Sequence, residues 1–433
     1  MIFFVYYLGA LALAGAELFR PARAPAIPTP RCPPALWVSA LVCTYALQVT
    51  ICASIATAGP WPLAVVRWQE DATGDVAALL AIGLLQAYAL LGLYRSGART
   101  PLVVGAALAM AAMSFAPVVT NADLYAYAGN GLLGRFAYTP PSVPFAGDLA
   151  AINVWWHAPM PPTTYGPLWL AVARTVTEPF TTLAMKLVAL RTLGAASLAG
   201  LVLLLRAYGV PARILAIVAL NPALYFEFVL NAHNDALPTC IAVAAAIVAP
   251  ALPWLAALLI ATAALVKAPY ALAGLPVLAG VRSPVTSVAA TALAVASALA
   301  ASWFAGGAPY LHALSLHATS SGLENGLHVA AGLAAAGTVV AALAGRRRLR
   351  GAVWLFPMLG AYTAPWYALW SVPYALGARR VLTYLALTFP FVAMLAEPSL
   401  TRLWTLGIVL PAAVVLSLRR FEGSAQPLQS GPS

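Results

Sequence analysis

Residues 101–127 read PLVVGAALAMAAMSFAPVVTNADLYAY. The first nineteen, 101–119, hold no charge and Ser114 as their one hydroxyl. That is about the length a helix needs to cross the hydrocarbon core of a bilayer. Asp123 stands just beyond the run, where a carboxylate meets the membrane surface. The stretch predicts a spanning helix that opens into a polar loop. The whole chain has the same character: 433 residues, 62% hydrophobic and 8% charged, with a mean hydropathy of +0.87. A soluble domain carries roughly 25% charged and 45–50% apolar residues. The composition therefore excludes a water-soluble domain, a disordered chain and a secreted disulfide scaffold. Cys32, Cys43, Cys52 and Cys240 show no metal-ligand spacing and read as small apolar helix residues.

Further apolar segments fall near 2–18, 34–58, 76–94, 183–207, 212–230, 236–252, 284–304, 327–344, 381–396 and 402–418. Two more stretches, 254–281 and 351–378, are interrupted at Lys267-Ala268-Pro269 and Ala364-Pro365-Trp366, where proline breaks the helical ladder. The fold class expected is all-α, a polytopic membrane protein of about 13–15 transmembrane helices. No signal-peptide cleavage pattern follows the first segment, which reads as a retained anchor. Residues 1–421 read as one domain, with 120–165 as its large outer loop and 422–433 as a disordered cytoplasmic tail.

The net charge of +11 records topology rather than a nucleic-acid partner. Alternating the loops between two sides gives one side Arg20, Arg23, Arg31, Arg95, Arg99, Arg206, Arg213, Arg282, Arg346, Arg347, Arg348, Arg350, Arg379, Arg380, Arg419 and Arg420, which is 16 of the 23 basic residues. The other side receives Glu70, Asp71, Asp75, Asp123, Asp148, Glu178, Asp235, Glu324 and Glu397, which is 9 of the 12 acids. The arginine side is cytoplasmic by the positive-inside rule, so the acidic side faces out of the cytoplasm of a multi-pass cell-membrane protein.

Ionisable residues in a membrane are costly, so each is a functional candidate. The outer loop offers Asp123, Tyr125, Tyr127, Arg135 and Tyr165. Aromatic rings beside a carboxylate suit a sugar, and an interfacial aromatic belt with Asp123 as a helix cap is the structural alternative. A second constellation is Glu227, Asn231, His233 and Asp235, with Glu227 and Asn231 on one helix face at i, i+4. Lys267 at its helix break can snorkel to the surface or hold a phosphate. Trp366 and Tyr367 can join the site or belong to an aromatic belt. The outer loop 305–327, with His312 and His317 five apart, reads as solvated. No metal is expected, because the His/Asp pair lacks further ligands, and no cofactor is expected. Nucleotide-loop, HExxH, GxSxG and CxxC motifs are absent from the sequence.

A sugar transferase facing away from the cytoplasm needs a lipid-linked donor, because nucleotide sugars are made inside. A polyprenyl phosphate sugar fits, with its tail along the helices and its phosphate at the interface. Asp123 can act as general base on an acceptor hydroxyl that is too weak an acid to attack unaided. Lys267, His233 or Arg135 can neutralise the phosphate.

Asp123-Leu124-Tyr125-Ala126-Tyr127, the Gly131–Pro141 stretch and Tyr165-Gly166-Pro167-Leu168-Trp169 resemble the first large outer loop of GT-C glycosyltransferases. Within that class the chain is similar to the polyprenyl-phosphomannose-dependent alpha-1,6-mannosyltransferases of actinobacterial lipoglycan assembly. Asn221-Pro222, Asn231-Ala232-His233-Asn234-Asp235, Lys267-Ala268-Pro269 and Pro365-Trp366-Tyr367 follow in that family's order. The resemblance spans about residues 120–375. It implies inverting transfer of mannose, or another hexose, from a polyprenyl phosphate to an extracytoplasmic glycolipid or polysaccharide. Asp123 matches the acidic residue that serves as base in the class. Tyr125, Tyr127, Tyr165, Asn231, His233, Asp235, Trp366 and Tyr367 would line the substrates, with Lys267 and Arg135 toward the phosphate. The chain departs from the pattern in having four apolar segments before the loop, no second acid beside Asp123 and no carboxy-terminal carbohydrate-binding domain. A transporter or flippase of lipid-linked sugars, a structural membrane subunit without chemistry, and an oligosaccharide polymerase or ligase using diphosphate-linked donors are the rival readings.

Overall fold

The computed structural model describes residues 32–318, apart from breaks at 58, 60–61, 67–72, 275–276, 278–280 and 282, together with Trp370. The expected first segment, those beyond residue 318, the tail 422–433 and the candidates Trp366 and Tyr367 lie outside the described residues.

The described chain is helical, and proline sets where many of its helices begin. α1 (Pro34–Ile55) leads into the short strands β1 (Ala56–Thr57) and β2 (Ala64–Val66). α2 (Thr73–Ser96) and α3 (Thr100–Met113) follow, then β3 (Val118–Val119) and α4 (Asp123–Leu133). Next come α5 (Ala151–Trp156), α6 (Pro167–Thr177), α7 (Leu183–Ala207), α8 (Ala212–Ala219) and α9 (Pro222–Tyr225). One turn of wider π-helix, Phe226–Leu230, prolongs α9. α10 (Ala236–Val248), α11 (Pro253–Val266) and α12 (Pro284–Ala318) complete the described part. α1, α3, α6, α9 and α11 each have proline in the first turn, where its missing N–H costs nothing.

Among the described residues, four helices are long and apolar enough to cross a membrane: Pro34–Ile55, Ala77–Ser96, Leu183–Ala207 and Val285–Leu316. α8 and the α9–π segment count as a fifth span if their 43° bend is one broken crossing. Large apolar side chains such as Leu108, Leu203, Trp303 and Phe304 are exposed, as lipid-facing surfaces require. Buried polar contacts join the described helices. Gln86 Nε2 donates to Gln48 Oε1 at 2.8 Å between α2 and α1. Tyr45 and Ser114 hydroxyls meet at 2.6 Å. Such pairs satisfy groups that hydrocarbon cannot.

Several boundaries differ from the sequence pattern. The apolar run 101–119 is not one helix: α3 stops at Met113, and Val118–Val119 pairs in parallel with Ala64–Val65. The run 34–58 likewise gives up its end to β1, which pairs antiparallel with β2. The reason is that Pro117 supplies no N–H to a helix and its C=O instead accepts from Ala64 N at 2.9 Å. α6 begins beyond the expected end of the outer loop at 165, because Pro167 starts a helix there. Residues 305–318, expected as loop, continue α12 through a break at Gly307, whose φ is 64°. His312 is exposed on it.

The Arg95–Arg99 turn and the start of α8 share one end of the bundle. Arg213, opening α8, lies over the Tyr94 ring at 5.9 Å, beside the Arg95–Arg99 turn. From that end, α3 and the α8–α9 pair run to the opposite end, where their chains deliver Asp123 and His233. Arg191, buried in α7, fixes both deliveries. Its guanidinium donates to Leu230 O at 2.9 Å, Ala116 O at 2.6 Å and Val118 O at 2.5 Å. α7 can come this close because residue 194 is glycine. A Cβ there would sit 2.0 Å from Phe228 O. Gly194→Ala is therefore expected to push α7 from the π-turn and cost roughly 1–3 kcal/mol of stability. The detergent-solubilised variant should melt at lower temperature than the wild type, and an equal melting temperature would contradict this packing.

Candidate active site

α4 starts at Asp123, and Asn121 Oδ1 accepts the Asp123 backbone N–H at 2.8 Å. This Asx turn fixes the backbone where the chain enters α4. On the facing segment, the π-turn ends with Asn231 N donating to Phe226 O at 3.0 Å and His233 N to Glu227 O at 2.9 Å. Ala232 then takes a positive φ of 51°. That reversal turns His233 back over Glu227 and toward α4.

The result is a chain of acid, imidazole and acid. His233 Nδ1 lies 3.5 Å from Asp123 Oδ2, and His233 Nε2 lies 3.3 Å from Glu227 Oε2. The Tyr127 hydroxyl is 3.4 Å from the same Nδ1, and the Tyr165 hydroxyl donates to Tyr127 at 3.3 Å. Asn231 holds the frame from below. Its Nδ2 donates to Glu227 Oε2 at 3.0 Å and to Thr120 Oγ1 at 2.8 Å, while its Oδ1 accepts Thr120 N at 2.9 Å. The chain entering α4 is thereby tied to the chain leaving the π-turn.

Lys267 closes the cluster on another side. α11 ends at Val266, and Lys267 is extended, forming a β-bridge with Tyr165. Gly166 permits this approach, since a Cβ there would lie 2.0 Å from Leu265 O. Lys267 Nζ donates to both Asp235 oxygens, at 2.8 and 2.9 Å. Its ammonium also lies 5.8 Å from the Tyr165 ring centre and 5.5 Å from that of Trp370. Tyr270 donates to Asp235 O at 3.0 Å and stacks on Trp370. Tyr127, Tyr165 and Trp169 form an edge-to-face aromatic wall with centroids 5.2–6.5 Å apart. Asn234 is buried, and among the described residues neither of its amide atoms has a hydrogen-bond partner.

Asp123 differs from the other two acids of the cluster in access. Its side chain is 14% exposed, against 9% for Glu227 and 0% for Asp235. Burial pushes its carboxyl above the ordinary carboxylate range, against the opposing pull of His233 and Lys267.

The structure thus brings Asp123, Tyr127, Tyr165, Asn231, His233, Asp235 and Lys267 into one connected set. Tyr125 is employed elsewhere: its hydroxyl donates to Leu63 O at 2.7 Å and accepts from Leu63 N at 3.1 Å. It pins β2 beneath the loop. Arg135 is exposed, with its guanidinium over the Phe136 ring at 5.3 Å. Lys267 is engaged by Asp235 rather than presented alone. Glu227, which the sequence placed in the second constellation without a role, is in contact with His233. Arg191 went unnoticed, though an arginine inside the apolar run 183–207 is itself a signal. Among the described residues no group of three or more His, Cys, Asp or Glu side chains is placed to hold a metal ion.

Long apolar helices bearing a buried acid–histidine cluster at one end define an integral membrane protein with a polar, chemically equipped site. The chain belongs to the alpha-(1->6)-mannopyranosyltransferase family: the family model described as "Alpha-(1->6)-mannopyranosyltransferase, N-terminal domain" matches residues 36–282. The protein is thereby a glycosyltransferase of the mannosyltransferase kind, and the matched range contains the whole acid–histidine cluster together with Asp235 and Lys267. No curated protein and no solved structure matches the chain.

Removing one partner of a buried ion pair leaves the other uncompensated, which costs roughly 3–5 kcal/mol. Lys267→Met is expected to show that loss in thermal unfolding, and Lys267→Met with Asp235→Leu to recover most of it. Equal melting of the single variant and the wild type would show that the pair contributes no stability.

Proposed function

We propose that the protein transfers a hexose, mannose in the first place, from a polyprenyl phosphate to a glycolipid or polysaccharide acceptor outside the cytoplasm, with inversion at the anomeric carbon. Asp123 is the general base. The observation that supports it is the division of labour among the three acids. Asp235 is spent on Lys267, Glu227 is held by Asn231 against His233, and Asp123 retains access. A base must reach the proton it takes, within about 3 Å or through one water.

In the transfer, Asp123 accepts the acceptor hydroxyl proton as that oxygen bonds to the anomeric carbon. The bond from that carbon to the phosphate oxygen breaks, and its electron pair leaves with the polyprenyl phosphate. Tyr165, half-buried, offers its ring to the sugars, with Tyr127 and Trp169 packed behind it. The Asn234 amide carries two N–H donors and a carbonyl acceptor, which sugar hydroxyls can pair in both senses. Lys267, matched by Asp235, would meet the phosphate only by sharing its ammonium with that carboxylate. The site lies at the helix ends opposite the arginine turns, which the positive-inside rule sets away from the cytoplasm.

The test is a transfer assay with radiolabelled polyprenyl phosphomannose and a membrane lipid extract as acceptor. Asp123→Asn is expected to lower kcat by about 10²–10⁴-fold, the usual worth of a general base, at equal protein level. Equal transfer by both proteins would refute Asp123 as the base. Because burial raises its pKa, the wild-type rate should fall on acidification before the ordinary aspartate range near 3.9 is reached. A rate flat down to that range would contradict an elevated carboxyl.

A further inference from the structure

α5 ends in two adjacent tryptophans, and the fold employs them differently. Trp155 packs its ring against Tyr125 at a centroid distance of 6.4 Å. Trp156, the last residue of the helix, donates from Nε1 to Ala122 O at 2.8 Å. Ala122 immediately precedes Asp123, so this indole is tied to the turn that presents the carboxylate. Trp156 is only half-buried, and part of its surface stays open beside that turn.

The neighbouring residues hold the ring in place. Ile152, buried on α5, meets α4 where residue 129 is glycine, and a Cβ there would lie 3.3 Å from Ile152 Cγ2. Asn153 brackets Phe145: its Nδ2 donates to Phe145 O at 2.6 Å and its Oδ1 accepts Phe145 N at 3.1 Å. His157 then takes φ 62° and ψ 179°, which ends α5 at Trp156. That region is nearly reserved for glycine, and a residue with a side chain occupies it at a cost of about 1–3 kcal/mol. An indole already anchored through its N–H has little rotamer freedom left to lose when a ligand covers it.

The chemistry of this corner selects the ligand. The face of an indole carries negative charge density and attracts the weakly positive C–H groups of a pyranose, while the hydroxyls at the sugar's rim stay free for polar partners. A phosphate is disfavoured here, because the Asp123 carboxylate repels it. The cation of the cluster, Lys267, comes instead from the break after α11 and is joined to Asp235 and Tyr165.

We propose that Trp156 is the stacking platform of the acceptor. A pyranose ring of the acceptor glycan lies on the open part of the indole, and its attacking hydroxyl reaches Asp123. The proposal rests on Asp123 being the base, since the base fixes where that hydroxyl must lie.

The experiment measures kcat and a separate KM for each substrate, using the full-length protein in membranes, polyprenyl phosphomannose as donor and octyl mannoside as the acceptor probe. Two variants separate the ring from its hydrogen bond. Trp156→Phe keeps an aromatic face and loses the N–H, whereas Trp156→Gln keeps an N–H donor and loses the face. Trp156→Gln is expected to raise the acceptor KM about tenfold or more, the scale on which aromatic anchors contribute to binding, and to leave the donor KM unchanged. Trp156→Phe is expected to keep the acceptor KM within about threefold of wild type, because the face is retained. Trp156→Leu takes the place of Trp156→Gln should that variant fail to fold, with the same rise in acceptor KM expected. An unmoved acceptor KM in the variants without a ring, with the loss confined to kcat, would show that Trp156 acts only through Ala122 on Asp123 and would overturn the platform. A rise in donor KM in place of acceptor KM would overturn it as well. Full transfer by Asp123→Asn is a different failure, which removes the base whatever the Trp156 variants show.

Discussion

Three carboxylates packed together at the end of an apolar helical bundle can persist only if each finds compensation, and the site is built around that constraint. An isolated buried charge costs several kcal/mol or more. Asp235 is met by both hydrogen bonds of Lys267. Glu227 is met by Asn231 and His233, and Asp123 by His233. The three solutions are unequal. The first is closed and neutralised, the second is a bridge, and the third keeps one side open. Under the proposed function the chemistry follows from that inequality, since the least satisfied acid is the one left to take a proton.

The scaffold explains how the groups meet. They come from three separated parts of the chain: the loop after β3, the turn after the π-helix and the break after α11. Arg191 binds the first two together through backbone carbonyls. Gly194 and Gly166 remove the side chains that would hold the backbones apart. The positive φ at Ala232 reverses the chain so that His233 faces α4. A bundle of long apolar helices supplies the frame, and the irregular backbone at Ala232 and Lys267 falls where the polar groups gather. Irregular structure within a membrane protein is tolerated where protein covers it.

The helical frame was readable because apolar runs such as 183–207 match the observed helix Leu183–Ala207. Local density of polar residues also marked Asp123 and the Asn231–Asp235 segment. What could not be read was pairing across distance. Tyr125 and Tyr127 sit two apart and look equivalent, yet one hydroxyl secures Leu63 and the other reaches His233. Lys267 carries the same charge in either reading, and only its contact with Asp235 shows that the charge is matched. The three short strands escaped notice because two or three residues of valine and alanine are as apolar as the helices beside them. Arg191 was overlooked because its partners are backbone carbonyls, which leave no mark in composition.

The central claim is that Asp123 meets the attacking hydroxyl, and a structure of the protein holding a non-transferable donor analogue and an acceptor tests it most directly. The account predicts an Asp123 oxygen about 3 Å from the acceptor hydroxyl, directly or through one water, with that hydroxyl facing the anomeric carbon on the side opposite the phosphate. An acceptor hydroxyl resting against Asp235 or Glu227 instead, with Asp123 turned away from both sugars, would contradict it.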